Sequence, residues 1–273
     1  MSEQKQRSLQ IDVLTLFPDM FRPVTEESML GRAGERGILD IRLHDIRDYT
    51  LDRHNRTDDY PFGGGGGMVM MPEPVFRCLE DISAEGKRLL YMSPRGRVLD
   101  EEMIRDYAGE EQLVILCGHY EGVDQRILDH WGAEEVSIGD YILTGGELPA
   151  MVLIDAVARM IPGVLGNADS AENESVYSGL LEHPQYTQPR LYRDLPVPEV
   201  LLSGNHRQID LWRFRQSLEL TAGRRPDLLA AYAAGAEDLP KEEKAILREI
   251  LDRQKHLSGD GEEDLSEDGE EDR

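Results

Sequence analysis

The chain has 273 residues, with 30 Lys and Arg against 54 Asp and Glu, a formal charge of −24 and 40% hydrophobic residues. That length and apolar content support one large or two modest packed domains and exclude disorder throughout. The longest hydrophobic stretch, Leu148 to Leu165, contains Asp155, Arg159 and two prolines, so no membrane span is expected.

In chain order, Leu9 to Phe17 reads as a buried strand, Glu26 to Gly37 as a helix with a glycine stop, and Ile38 to Ile46 as a half-buried strand. A loop follows. Pro74 to Ala84 is a helix opened by prolines, Arg88 to Met92 a strand, Leu99 to Tyr107 a helix and Leu113 to Cys117 a central strand. Asp124 to Trp131 reads as a short helix, Glu134 to Ile138 as a strand, and Glu147 to Ile161 as a long apolar helix ended by Pro162-Gly163. This alternation predicts an α/β domain with a parallel sheet. From Gly166 the sequence turns polar, as expected of an interdomain linker. Beyond it no strand signal appears; Asp210 to Ala222, Pro226 to Ala234 and Pro240 to His256 carry Leu and Ile at helical spacing and predict a small helical domain.

The opening MSEQKQRSLQ lacks the apolar core of a secretory signal, and Cys78 and Cys117 have no metal-ligand spacing, so a reducing cytoplasm is expected. The acidity weighs against a nucleic-acid partner, since phosphate draws on Lys and Arg clusters. Part of it is local: Leu257 to Arg273 holds nine acids and one base and reads as a solvated, disordered tail.

Glycines carry the chemical signal. The run Gly63 to Gly67 lacks the Gly-Lys-Ser/Thr of a P-loop, which leaves close backbone approach to a ligand or a flexible connection. Three further glycine-bearing turns each follow a predicted strand: Ser93 to Gly96, Gly118 to Gly122, and Ile138 to Gly146. Ligands of open α/β sheets bind beyond the carboxyl ends of the strands, so these loops outline a pocket; none fits GxGxxG.

The segments LFPDMF, DDYPFGGGGGMVM, YMSPRG, LCGHYEGVDQR, SIGDYILTGGELPAMVLIDAVARMIPGVLG, SGLLEHPQYT and LLSGNH resemble the bacterial tRNA (guanine-N1)-methyltransferases of the SPOUT superfamily, from about Leu9 to His256. The resemblance implies a SPOUT-type parallel sheet with a deep trefoil knot and a small helical C-terminal domain. Residues 1–165 would be the knotted cofactor-binding domain, 166–178 the linker, 179–256 a helical tRNA-binding domain and 257–273 the acidic tail. It implies methyl transfer from S-adenosylmethionine to N1 of the guanosine just 3′ of the tRNA anticodon. It also implies a homodimer, with cofactor loops of one subunit and the linker and helical domain of the other forming each site, and a use for Mg²⁺ whose ligands the sequence does not place.

By motif match, the cofactor site comprises Tyr91, Met92, Ser93, Pro94, Gly118, Glu121, Ile138, Gly139, Asp140, Tyr141, Ile142, Leu143, Gly145 and Gly146. Bare glycine edges let backbone groups reach adenine and ribose, and Glu121 either faces a cationic amino or sulfonium group or caps the helix near Asp124. Guanine N1 carries a weakly acidic proton, so transfer needs a general base, and a guanidinium suits the charge that spreads to the carbonyl oxygen. Arg159 matches the family's arginine; the plainer alternative is a solvent-facing cation at a helix C-terminus.

The sequence departs from the family twice. Where some members carry Asp before Ser in the linker, this chain carries Glu174, whose carboxylate sits one methylene further from the backbone; Asp169 and Glu172 are rival bases. Gln185-Tyr186-Thr187-Gln188-Pro189 stands where relatives commonly read His-Tyr-Thr-Arg-Pro. For the RNA, Asp58 and Asp59 either accept from a guanine edge or anchor the glycine loop. Arg207, Arg213 and Arg215 lie in a stretch, Asn205 to Arg225, with a local charge of +3, where phosphates are expected unless the arginines merely ring an exposed helix.

Overall fold

The computed structural model describes residues 8–165 and 176–259; Glu174, Asp169, Glu172 and most of the acidic tail lie outside them. The chain divides into two compact units, Met1–Ala168 and Asp169–Arg273.

The first unit is built from β1 (Leu9–Thr15), α1 (Arg22–Thr25), α2 (Ser28–Glu35), β2 (Leu39–Asp45), β3 (Asp58–Asp59), β4 (Val69–Met70), α3 (Pro72–Asp81), β5 (Arg88–Val98), α4 (Glu101–Ala108), β6 (Gln112–Cys117), α5 (Gln125–Trp131), β7 (Glu134–Ser137) and α6 (Glu147–Arg159). Five strands form one parallel sheet in the order β2-β1-β6-β5-β7. Alternate residues supply its two faces, as the period of a strand requires. Ile11, Val13, Leu90, Leu113 and Ile115 pack with α2, α4 and α6, whereas Leu14, Leu89, Val114 and Leu116 pack with α3 and α5. Helices on both faces explain why Leu113 to Cys117 is apolar throughout.

Two expectations change here. The helix expected from Glu26 to Gly37 is α2, which begins only at Ser28, where φ is 55°, and there a Cβ on Gly31 would meet the Glu26 carbonyl oxygen at 2.3 Å; the short α1 precedes the expected span. The strand expected to end at Met92 resumes after Ser93 to Gly96, with Met92 and Arg97 both opposite Val136. Gly96 permits this, since a Cβ there would lie 2.3 Å from the Glu135 carbonyl.

The second unit contains β8 (Leu191–Tyr192), β9 (Leu195–Pro196), α7 (Glu199–Leu202), α8 (His206–Arg224), α9 (Pro226–Ala234) and α10 (Lys241–Gly259). Leu180, Leu218, Leu229, Leu247 and Ile250 form its core. The antiparallel β8–β9 pair corrects the expectation that no strand follows the linker. Helix α8 starts four residues earlier than predicted because the Asn205 side chain accepts from the Gln208 backbone N–H at 3.3 Å, an N-cap.

Candidate active site

The Ser93 to Gly96 excursion within β5 and the loops that leave the carboxyl ends of β6 and β7 enclose a cleft of about 400 Å³. Tyr91, Met92, Ser93 and Pro94 come from the first loop, Gly118 and Glu121 from the second, and Ile138, Gly139, Tyr141, Ile142, Leu143, Gly145 and Gly146 from the third. Asp140 belongs to the third loop without lining the cleft. Arg95, His119, Tyr120 and Thr144 complete the walls. The loops interlock through missing side chains: a Cβ on Gly118 would sit 2.8 Å from the Tyr91 ring, and one on Gly146 would sit 2.8 Å from the Cys117 Cα. The Gly146 N–H donates to the Gly118 carbonyl at 2.9 Å.

Beneath Gly145 lies a polar group that sequence reasoning overlooked. Glu147, only 1% exposed, accepts from Thr15 Oγ1 at 2.7 Å and from His119 Nε2 at 2.8 Å. These bonds offset the cost of burying the acid. Phe17 packs on the other side of the imidazole, ring centroids 4.8 Å apart. The sequence signal was an acid at the first position of a largely apolar helix and a histidine in the glycine turn Gly118 to Gly122.

Burial pushes up the Tyr91 phenol and holds the Cys117 thiol well above its ordinary value, so both stay neutral. Tyr120 is raised by burial and by the neighbouring Asp58 carboxylate. Apolar side chains stand at the rim, with Ile142 78% exposed.

The glycine run is tied to this cleft. Glu121 N–H donates to the Met68 carbonyl at 2.9 Å, Met70 N–H to Gly122 at 3.0 Å, and a Cβ on Gly67 would strike the Glu121 carboxylate at 2.4 Å. Asp58 and Asp59 pair with Met70 and Val69 across the β3–β4 ribbon, which puts Asp58 beside Tyr120 and leaves Asp59 exposed. The cap of α5 is Asp124, whose carboxylate accepts from the Arg126 N–H at 3.0 Å, so Glu121 is not the cap.

Other expected site residues lie elsewhere. Arg159 ends α6, about 18 Å along the helix from Glu147 at 1.5 Å per residue, and is not among the cleft residues. Glu174 lies outside the described residues. In the second unit Arg207 pairs with Glu242 at 2.6 Å and Arg215 with Glu249 at 2.8 Å, so α8 directs both toward α10 acids. Arg213 is held more loosely, 3.9 Å from Asp210. Among the described residues no group of three or more His, Cys, Asp or Glu side chains fits a metal ion, and no helix is long and apolar enough to cross a membrane.

Residues 9–231 match the family model described as tRNA (Guanine-1)-methyltransferase TrmD. A tRNA (guanine-N(1)-)-methyltransferase of Alkaliphilus metalliredigens is 53% identical over 226 residues, covering 81% of this chain and 92% of the relative. Relatives of the same name from Staphylococcus carnosus (51%, covering 84% and 94%) and Geotalea uraniireducens (49%, covering 92% and 99%) align at similar identity. The interlocked strand-end loops and this likeness lead to one conclusion: the chain belongs to the tRNA (guanine-1)-methyltransferase family.

Proposed function

We propose that this methyltransferase carries a methyl group from S-adenosylmethionine to N1 of the guanosine immediately 3′ of the anticodon in tRNA, in the cytoplasm. The observation that carries the reading is the glycine-bared cleft where the excursion within β5 meets the loops after β6 and β7. Its volume falls in the range of small-molecule sites. The bound cofactor supplies an electrophilic methyl group on a cationic sulfonium. Backbone edges near Gly118 and Gly146 hold the adenosine portion, and Glu121 at the rim faces the cationic end. Entry of Gly146 against Cys117 supports a knotted crossing of the second and third loops.

Glu174 removes the guanine N1 proton, and Arg159 stabilises the charge that develops on the carbonyl oxygen. The separation of about 18 Å along α6 between Arg159 and the cleft end supports a homodimer in which one copy's arginine serves its partner's cleft. Leu148 and Val152, half exposed, share a helical face with Arg159 and suit such an interface. Among the described residues no cluster of acids or histidines fits Mg²⁺.

Labelled methyl transfer onto tRNA transcripts that differ only in the base 3′ of the anticodon tests the reading. Label is expected with guanosine and absent with any other base; equal labelling regardless of that base overturns the assignment.

A further inference from the structure

A second cavity, of about 370 Å³, lies within the C-terminal unit between the segment that follows the linker and helices α7 and α8. Its composition runs against the rest of the molecule. In a chain with 54 acidic residues, no Asp or Glu lines this cavity among the described residues, whereas Arg190 and Arg213 do. Tyr186 and Trp212 stand together in its wall, ring centroids 6.3 Å apart and tilted by 57°, so a flat ligand stacking on one ring meets the other edge-on. Gln185 and Gln188 add neutral amides. His183 also lines it, and its buried Nδ1 has no hydrogen-bond partner among the described residues. A buried polar atom left unpaired is costly unless a ligand completes it.

Planar aromatic walls, amides and arginines without acids are what an unpaired nucleotide requires: stacking for the base, donors and acceptors for its edge, and positive charge for its phosphate. Arg213 is available for that phosphate because its acid partner stands at 3.9 Å, unlike the tightly paired Arg207 and Arg215. From this we infer that the cavity accepts one unstacked nucleotide of the RNA substrate. The inference rests on the tRNA reading above.

The test uses the full chain. Trp131 and Trp212 are the only tryptophans, so Trp131→Phe leaves Trp212 as sole reporter. Saturation with a tRNA transcript is expected to quench Trp212 emission, whereas a fully paired RNA duplex of similar length leaves it unchanged. Free 5′-mononucleotides, the other source of the same chemistry, are expected to quench only at far higher concentration. Trp212→Leu, which keeps apolar bulk, is expected to weaken tRNA binding on the order of 10-fold, while Trp212→Phe stays within about 3-fold. S-adenosylmethionine binding by calorimetry should be the same in both variants.

Unchanged Trp212 emission in a complex that methylates tRNA, or equal tRNA binding by the Leu and Phe variants, overturns the nucleotide site alone. Emission that follows protein concentration rather than RNA overturns it in favour of a second copy of the chain. If the wild type methylates no tRNA at all, the functional reading and the nucleotide site fall together.

Discussion

The cleft of the first unit takes five glycines into its lining, and the cavity of the second takes none. Gly118, Gly145 and Gly146 shape the former by what they lack; Tyr186, Trp212, Arg190 and Arg213 shape the latter by what they carry. The two kinds of wall respond differently to substitution. A backbone-lined site fails when any atom is added, because packed backbone has nowhere to move. A side-chain-lined site changes by degrees, since each stacking or ionic contact contributes separately.

The largest expected effect falls in the segment between these regions in the chain. Glu174→Gln is expected to lower kcat by roughly 10²- to 10⁴-fold, the span of general acid–base catalysis, with little change in tRNA KM. Single-turnover methyl transfer measures it, and a glutamine variant as fast as wild type removes Glu174 as the base. Next comes Gly146→Ala, whose Cβ would stand 2.8 Å from the Cys117 Cα. Overpacking of that kind costs about 1–3 kcal/mol, and cofactor affinity should fall with it. If calorimetry finds both unaltered, the backbone between Cys117 and Gly146 yields to an added methyl group.

A buried acid sharpens the same contrast through pH. Asp12, 1% exposed on β1, meets Gln10, His44 and Gln112 at 2.7–2.8 Å. Burial raises its carboxyl, but hydrogen bonds from His44, Gln10 and Gln112 outweigh that and hold it below the ordinary value of 3.8. A carboxyl with a lower pKa folded than unfolded contributes stability above its unfolded pKa and loses it as pH falls through the folded one. Below about pH 4, wild type should therefore lose stability more steeply than Asp12→Asn, which itself costs about 1–3 kcal/mol at neutral pH. Urea unfolding across pH supplies the check; parallel curves exclude Asp12 from the acid response.

The smallest effect belongs to the second unit's surface. Arg215 grips both oxygens of Glu249, at 2.9 and 2.8 Å, yet both side chains stand about one-third to one-half exposed. Arg215→Ala should cost less than about 1 kcal/mol in thermal unfolding. A loss well above that would mean the pair supports the α8–α10 packing more than an exposed ion pair does.

The same contrast sets how much was legible in the sequence. The sheet and the cleft loops were readable because their causes are local: an unbroken apolar run such as Leu113 to Cys117, or a glycine where a strand ends. Helix α9 coincides with its predicted span for a similar reason, a proline at its first position. The β3–β4 and β8–β9 pairs were not readable, since two-residue strands have no period and exist only through partners elsewhere. Nor was the engagement of Arg207 and Arg215, because the acids that hold them lie more than thirty residues away on α10. Asn205 with Gln208 three residues on forms the cap of α8, which begins four residues ahead of the apolar spacing that starts at Asp210.

The excursion of β5 has a consequence for how the chain tolerates changes in length. Surface loops ordinarily absorb insertions and deletions. Here Ser93 to Gly96 leave and rejoin the same strand, with Met92 and Arg97 opposite one residue of β7. One residue more or fewer would turn Arg97 and Val98 to opposite faces of the sheet, or force the strand to re-pair along its length. The segment therefore behaves as a spacer of fixed count: beside what Ser93, Pro94 and Arg95 contribute to the cleft, its length itself is held by the strand pairing on either side.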